Sequence, residues 1–180
     1  MRYLISVLGA LMIAAPALAQ NFIANHAGSP VGPVTVAEIT IGEELEAKGD
    51  DYGRREFDRL TRTLSADLER ELRSVYLLAD GNAEAMLFVV IEDATPNRPT
   101  FAQQGVSGLS WQSYGRGGAH ITAELRTADG TVLSTYEYSW TTPSIQDARY
   151  ASVWTDAYRT FDRFAARLAD DLDETVNSGS

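Results

Sequence analysis

The stretch Gly118-Ala119-His120-Ile121-Thr122-Ala123-Glu124-Leu125-Arg126-Thr127-Ala128-Asp129-Gly130-Thr131-Val132-Leu133-Ser134-Thr135-Tyr136-Glu137-Tyr138-Ser139-Trp140 decides the fold. Asp129-Gly130 divides it into two segments whose apolar residues match across the turn, and Asp-Gly is a strong two-residue hairpin signal. With those two residues as the turn, Thr127 faces Val132, Leu125 faces Ser134, Ala123 faces Tyr136, Ile121 faces Tyr138 and Ala119 faces Trp140, all on one side. The other side collects His120 with Ser139, Thr122 with Glu137, Glu124 with Thr135 and Arg126 with Leu133. A slip of one residue would exchange the two faces, so burial of one side fixes the register. Small Ala119 and Ala123 opposite large Trp140 and Tyr136 give complementary volumes for a packed core.

Upstream, Met86-Leu87-Phe88-Val89-Val90-Ile91 is an unbroken apolar run. It suits a central strand that is covered on both faces or paired parallel to its neighbour. Phe57, Leu60, Leu64, Leu68, Leu72 and Val75 recur at three- and four-residue steps, which puts them on one stripe of a helix. Asp50 or Asp51 is placed to cap its start, Asp58 with Arg62 and Glu69 with Arg73 are i,i+4 pairs, and Asp80-Gly81-Asn82 stops it. Val34 to Ile41 alternates Ala37, Ile39 and Ile41 against Glu38 and Thr40 and reads as the first strand. Strand, helix and strand in this order imply a parallel crossover. Downstream, Thr142-Pro143-Ser144 with Asp147 starts a last helix. Its apolar face runs from Tyr150 through Val153, Trp154, Phe161, Phe164 and Leu168 to Leu172. The expected fold is α/β (α+β), a single mixed sheet of about four strands in the order β-α-β-β-β-α, with two long amphipathic helices packed on one face.

Residues Met1 to Ala19 read as a secretory signal, with Arg2 as the positive end, Leu4 to Ala15 as the apolar stretch and Ala17-Leu18-Ala19 as the cleavage site. The apolar stretch is shorter than the roughly 20 residues a membrane-spanning helix needs, so the expectation is cleavage after Ala19 and a soluble periplasmic protein with no transmembrane segment. Gln20 follows the cleavage site and the chain has 0 cysteines, which excludes a lipid anchor on cysteine and disulfides alike. Residues 20–33 show no periodicity and read as a flexible arm, 34–173 as one domain, and 174–180 as a disordered tail, because Asp170, Asp171, Asp173 and Glu174 oppose the helix dipole. Without the leader, 14 basic residues stand against 25 acidic ones, a net charge of −11. Such a surface repels nucleic acid and anionic headgroups.

The segment from Asp93 to Gly118 differs in kind. Pro96, Pro99, Gly105, Gly108, Gly115, Gly117 and Gly118 interrupt it, and Phe101, Trp111 and Tyr114 stand among polar residues. It reads as a long loop or a loosely formed hairpin, and a loop this long in a small domain is usually functional or disordered. Phe101, Trp111, Tyr114 and Arg116 are the candidate partner-binding residues, with Trp111 as cover for an open sheet edge the alternative. Elsewhere chemistry is sparse. With no cysteine and two histidines, His26 and His120, no metal or cofactor site is implied. Gly105-Val106-Ser107-Gly108-Leu109 resembles a nucleophile elbow but has Leu109 where the second glycine belongs. Gly115-Arg116-Gly117-Gly118 lacks the Lys-Ser/Thr of a phosphate loop and leads into a strand.

The order of elements, with Gly118 to Arg126 followed by Asp129-Gly130 and Val132-Leu133, resembles small α/β domains of proteobacterial envelope proteins, including families of unknown function often made as lipoproteins. More distantly it is similar to the periplasmic domain of the curli secretion channel and the N-terminal domain of the Tol-Pal translocation protein. The resemblance implies an envelope setting and brings no functional residues with it. The expected function is a non-enzymatic periplasmic accessory or binding protein, a monomer or weak oligomer, that meets an envelope protein or polymer through residues 100–118. The alternative is a small periplasmic hydrolase using Asp93, Glu124 and His120.

Overall fold

In the computed structural model, which describes residues 21–28, 32–106 and 109–178, the hairpin lies within a five-stranded sheet. Along the chain come β1 (Asn21–His26), β2 (Val34–Ile41), the short α1 (Glu43–Glu46) and α2 (Gly49–Tyr52), α3 (Arg55–Ser74) and β3 (Ala85–Thr95). They are followed by α4 (Phe101–Val106), β4 (Gly118–Thr127), β5 (Val132–Thr141), a 3-10 turn at Asp147–Tyr150 and α5 (Thr155–Ser178). The strand order is β1-β5-β4-β3-β2. Among the described strands, only β2 and β3 pair in parallel, joined by the crossover through α3 that the sequence implies.

Leu125 pairs with Ser134, Ala123 with Tyr136, Ile121 with Tyr138 and Ala119 with Trp140, as the apolar pattern requires. The turn itself differs from the two-residue expectation. Gly130 N donates to Thr127 O at 3.0 Å, Thr127 N donates to Thr131 O at 3.0 Å, and Gly130 has a φ of +89°. Three residues therefore close the loop with glycine in the left-handed region, a geometry that matches strand twist as well as a two-residue turn does. The extra residue is absorbed as a bulge, so Arg126 pairs with Val132 rather than Leu133. Leu133 turns its carbonyl outward instead, to the N–H groups of Ala27 and Gly28 at 2.8 and 3.0 Å.

Within the expected N-terminal arm, Asn21–His26 form a strand. β1 pairs antiparallel with β5 from Asn21↔Ser139 to His26↔Ser134, which makes five strands instead of about four. Phe22 supplies the reason: its ring packs 6.0 Å from Tyr136 and 6.4 Å from Phe164, so this short segment covers the outer end of the core. The leader Met1 to Ala19 lies outside the described residues.

α3 and α5 lie against each other and against one face of the sheet. Leu60, Leu64, Leu68 and Leu72 from α3 and Phe161, Phe164 and Leu168 from α5 are fully buried with Leu87, Ile91, Ile121 and Tyr138. Neither α3 nor α5 covers the opposite face, and there Met86, Phe88 and Val90 are half-buried. The apolar run of β3 thus reflects its parallel pairing and not cover on both faces. Phe88 is sheltered by the Arg126 guanidinium, 5.0 Å from its ring centroid.

Helix limits depart from the spacing signals in three places. Asp50 and Asp51 belong to α2, and Gly53, with a φ of +87°, breaks the chain before α3. α3 ends at Ser74, ahead of Asp80-Gly81-Asn82, because Tyr76 takes a φ of +60° and lets Leu77 N reach Leu72 O at 2.9 Å. The ion pairs within α3 are Glu56–Arg59, Asp67–Arg70 and Arg70–Glu71 in place of the expected Asp58–Arg62 and Glu69–Arg73. At the C-terminus, α5 continues to Ser178 although the acidic run opposes the dipole, since Val176 still packs against the core. Residues 179–180 of the expected tail lie outside the described residues.

Candidate functional site

The segment between β3 and β4 is pinned by its first residues. Pro96-Asn97-Arg98-Pro99 begins where β3 ends, and the two prolines restrict the backbone on either side of Asn97 and Arg98. Asn97 is 1% exposed. Its Oδ1 accepts from Asp156 N at 2.9 Å, and its Nδ2 donates to Asp156 Oδ2 at 2.5 Å and to Gly115 O at 3.2 Å. Asn97 therefore caps α5 from outside the helix and ties the far end of the loop to the same point. Gly117 is glycine because a Cβ there would lie 2.7 Å from Asn97 Oδ1.

This cap explains why α5 starts late. Thr142-Pro143-Ser144 opens a 3-10 turn, Ala151 is extended, and the helix proper begins at Thr155, where Asn97 satisfies the N–H of Asp156. Tyr150, expected on the buried face of the helix, is consequently outside it and 89% exposed.

Arg98 ties its own segment to two others, one at Trp111 and one at Arg149 and Ala151. Nε donates to Ala151 O at 2.7 Å, Nη1 to Trp111 O at 2.8 Å and Nη2 to Arg149 O at 2.6 Å. Its guanidinium lies 5.9 Å from the Trp111 ring and 5.7 Å from that of Tyr114. A planar five-donor group is suited to this, since it can serve three carbonyls and still present its faces to aromatic rings. Thr100 and Gln103 form a reciprocal capping box on α4, with Gln103 N donating to Thr100 Oγ1 at 3.3 Å and Thr100 N to Gln103 Oε1 at 3.1 Å. α4 is a helix where the reading of Asp93 to Gly118 has a long loop or a loosely formed hairpin.

Phe101 projects from the first turn of α4 and is 90% exposed, while Leu109, Trp111 and Tyr114 are 42, 53 and 40% exposed. Arg116 is exposed, and among the described residues nothing pairs with it. The Trp111 ring lies over the Arg98 guanidinium. A cleft of about 310 Å³ opens beside these side chains, walled by Tyr52, Pro96, Pro99, Leu109 and Tyr114. Asn97 and Arg98 had only flanking prolines to mark them in the sequence, because their partners lie far along the chain.

Tyr52, at the floor of this cleft, packs edge-on against Trp154 at 5.7 Å. Burial lifts its phenol from the ordinary 10.0 to about 12, and the charges of Asp93 and Asp51 add to the shift. The unfolded chain loses this proton first, so the stabilisation is intact below pH 10 and is lost as pH rises towards 12. Urea melts across that range should show Tyr52→Phe losing about 1–2 kcal/mol less stability than the parent.

Of the residues of the hydrolase alternative, Asp93 and His120 are brought to adjacent positions on β3 and β4 beside one shallow cavity, and Glu124 is not. Asp93 pairs with Lys48 at 2.5 Å, His120 Nε2 meets Glu137 at 3.1 Å, and Glu124 is held by Arg126. Asp93 pairs with His120 across β3 and β4, whereas Glu124 lies four residues further along β4, about 13 Å at strand rise. Among the described residues no group of acidic and histidine side chains is arranged to hold a metal ion. The elbow-like motif at Ser107 lies outside the described residues.

A Ser–His–Asp contact does occur elsewhere: His26 Nδ1 meets Ser134 Oγ at 2.9 Å and His26 Nε2 meets Asp171 at 3.4 Å. Ser134 is 0% exposed, so no substrate carbonyl reaches its hydroxyl, and the trio serves to fasten β1 to β5 and α5. Tyr136 lies beside it, its phenol pushed well above the ordinary value, chiefly by burial.

No family model and no curated protein matches the chain. Among solved structures it is similar to the PelC dodecamer from Paraburkholderia phytofirmans in two crystal forms, one of them of a point variant. In each case the identity is 14%, the match covers 83% of this chain and 98% of the other, and the TM-score is 0.48. Both of those assemblies are dodecamers, and the expectation of a monomer or weak oligomer is withdrawn on that finding.

Proposed function

We propose that the chain is an exported envelope protein, freed of Met1 to Ala19, that acts as a non-enzymatic binding module and holds an envelope protein or polymer against Phe101, Leu109, Trp111 and Tyr114. The supporting observation is that these side chains are 90, 42, 53 and 40% exposed on a segment whose backbone is fixed by Asn97 and Arg98. Clustered apolar exposure marks interaction surfaces, and fixing the backbone beforehand lowers the ordering cost of association. Aromatic anchors dominate the energy of such contacts. Arg116 adds a cation at the rim. The envelope setting rests on the leader sequence and on the resemblance of the element order to envelope domains.

A photo-crosslinking residue placed at Phe101, at Trp111, or at Tyr76 tests this in living cells. Tyr76 is 91% exposed but follows α3 near the start of β2, at the other end of the sheet. The expected result is one adduct of the same mass from positions 101 and 111 and none from position 76. Adducts from all three positions, or from none, would count against the reading.

A further inference from the structure

We propose that the groove between the end of β5 and the Arg159–Arg163 face of α5 is a second ligand site, for a carboxylate carried on a flat apolar body. It lies apart from the proposed partner surface and does not depend on it. The groove has a volume of about 590 Å³ and is walled by Trp140, Pro143, Gln146, Tyr150, Arg159 and Arg163, with Asp147 as the acidic residue on its wall.

Three observations point to an anion. Arg159 and Arg163 are one helical turn apart, so both guanidinium groups reach the same groove. Arg159 gives one N–H to the fully buried Asp156 at 2.9 Å. Among the described residues, Arg163 has no carboxylate: its guanidinium lies 4.2 Å from the Trp140 ring centroid, and the adjacent Asp162 is taken by Arg70 at 2.8 Å. With Arg159 paired to Asp156, Arg163 is the cation on this wall that is left without a carboxylate of its own, and Asp147 is the one acidic residue among those that line the groove. Trp140 is 6% exposed, and among the described residues its indole N–H has no acceptor, an unmet donor on the wall of the groove.

The shape of the wall selects among anions. A guanidinium fork matches the two oxygens of a carboxylate. Tyr150, 89% exposed, and Pro143 give apolar surfaces on which a flat ring can lie, and Gln146 supplies a neutral donor and acceptor. A bare oxyanion would use the arginines and leave those surfaces uncovered.

The test follows the indole N–H resonances of Trp111, Trp140 and Trp154 by NMR, assigned through Trp140→Phe, as sodium benzoate is titrated at constant ionic strength. Benzamide and inorganic phosphate serve as separate probes. The expected result is a saturable shift of the Trp140 resonance with benzoate in the millimolar range, an unmoved Trp111 resonance, and about tenfold weaker binding for Arg163→Gln. Tyr150→Ser, at an exposed position, should weaken binding as well and serves if Arg163→Gln melts early. The proposal is overturned if Trp140 shows no saturable shift, if both variants bind as the parent does, or if benzamide or phosphate binds as tightly as benzoate.

Discussion

Phe161→Asp leaves a chain that does not fold. Phe161 is 0% exposed where α5 packs between α3 and the sheet, so the substitution removes a large buried ring and puts a carboxylate in its place. Loss of the ring alone costs about 3–5 kcal/mol, and burying an unpaired charge adds several more. Together these approach the roughly 5–15 kcal/mol by which a domain is stable at all. Leu68→Asp, on the facing helix and equally buried, is expected to do the same. Arg62→Ala, on the exposed side of α3, should change stability by less than about 0.5 kcal/mol. Thermal melts by circular dichroism check all three, and a Leu68→Asp protein as stable as the parent would show that α3 is not packed as described.

Asn97→Ala carries the next largest effect, because one side chain closes two parts of the structure. Its removal takes the cap from the first turn of α5, strips a hydrogen bond from Asp156, which is 0% exposed, and frees Gly115 O. Losing a cap costs about 1 kcal/mol, and leaving a buried charged group short of a partner costs about 1–3 more, so the expected loss is about 3 kcal/mol in urea denaturation. Hydrogen exchange should also quicken at residues 109–118, which lose their tie to the helix. Asn97→Asp should be worse than alanine, since it sets a second carboxylate against Asp156. An alanine variant within about 0.5 kcal/mol of the parent would mean that the cap carries little of the structure.

How far the fold can be read from sequence depends on the range of the contacts involved. The hairpin register was legible because each inward residue of β4 has its partner at a fixed offset in β5, and small residues face large ones. Helices α3 and α5 were legible from the stripe of Leu60, Leu64, Leu68 and Phe161, Phe164, Leu168. β1 was not, since six residues with Phe22 as the one large apolar side chain packed on the core give too short an alternation, and what holds them are contacts with Tyr136, Phe164 and Asp171, far along the chain. The late start of α5 was hidden for the same kind of reason: Ser144 and Asp147 are local signals, but the cap that prevails comes from Asn97. At the candidate site the exposed aromatics could be picked out because glycine and polar neighbours leave nothing to bury them. The clasp that holds them could not, because the carbonyls Arg98 bonds belong to Trp111, Arg149 and Ala151.

The measurement that bears most directly on the proposed binding surface is the double substitution Trp111→Ser with Tyr114→Ser in a protein carrying the crosslinking residue at position 101. Both rings are outside the core, and Arg98 bonds the Trp111 carbonyl, which survives the change. The melting temperature should therefore stay within about 2 °C of the parent while the adduct formed from position 101 disappears. A large fall in melting temperature with the adduct retained would contradict the reading and make the two rings structural cover for Arg98.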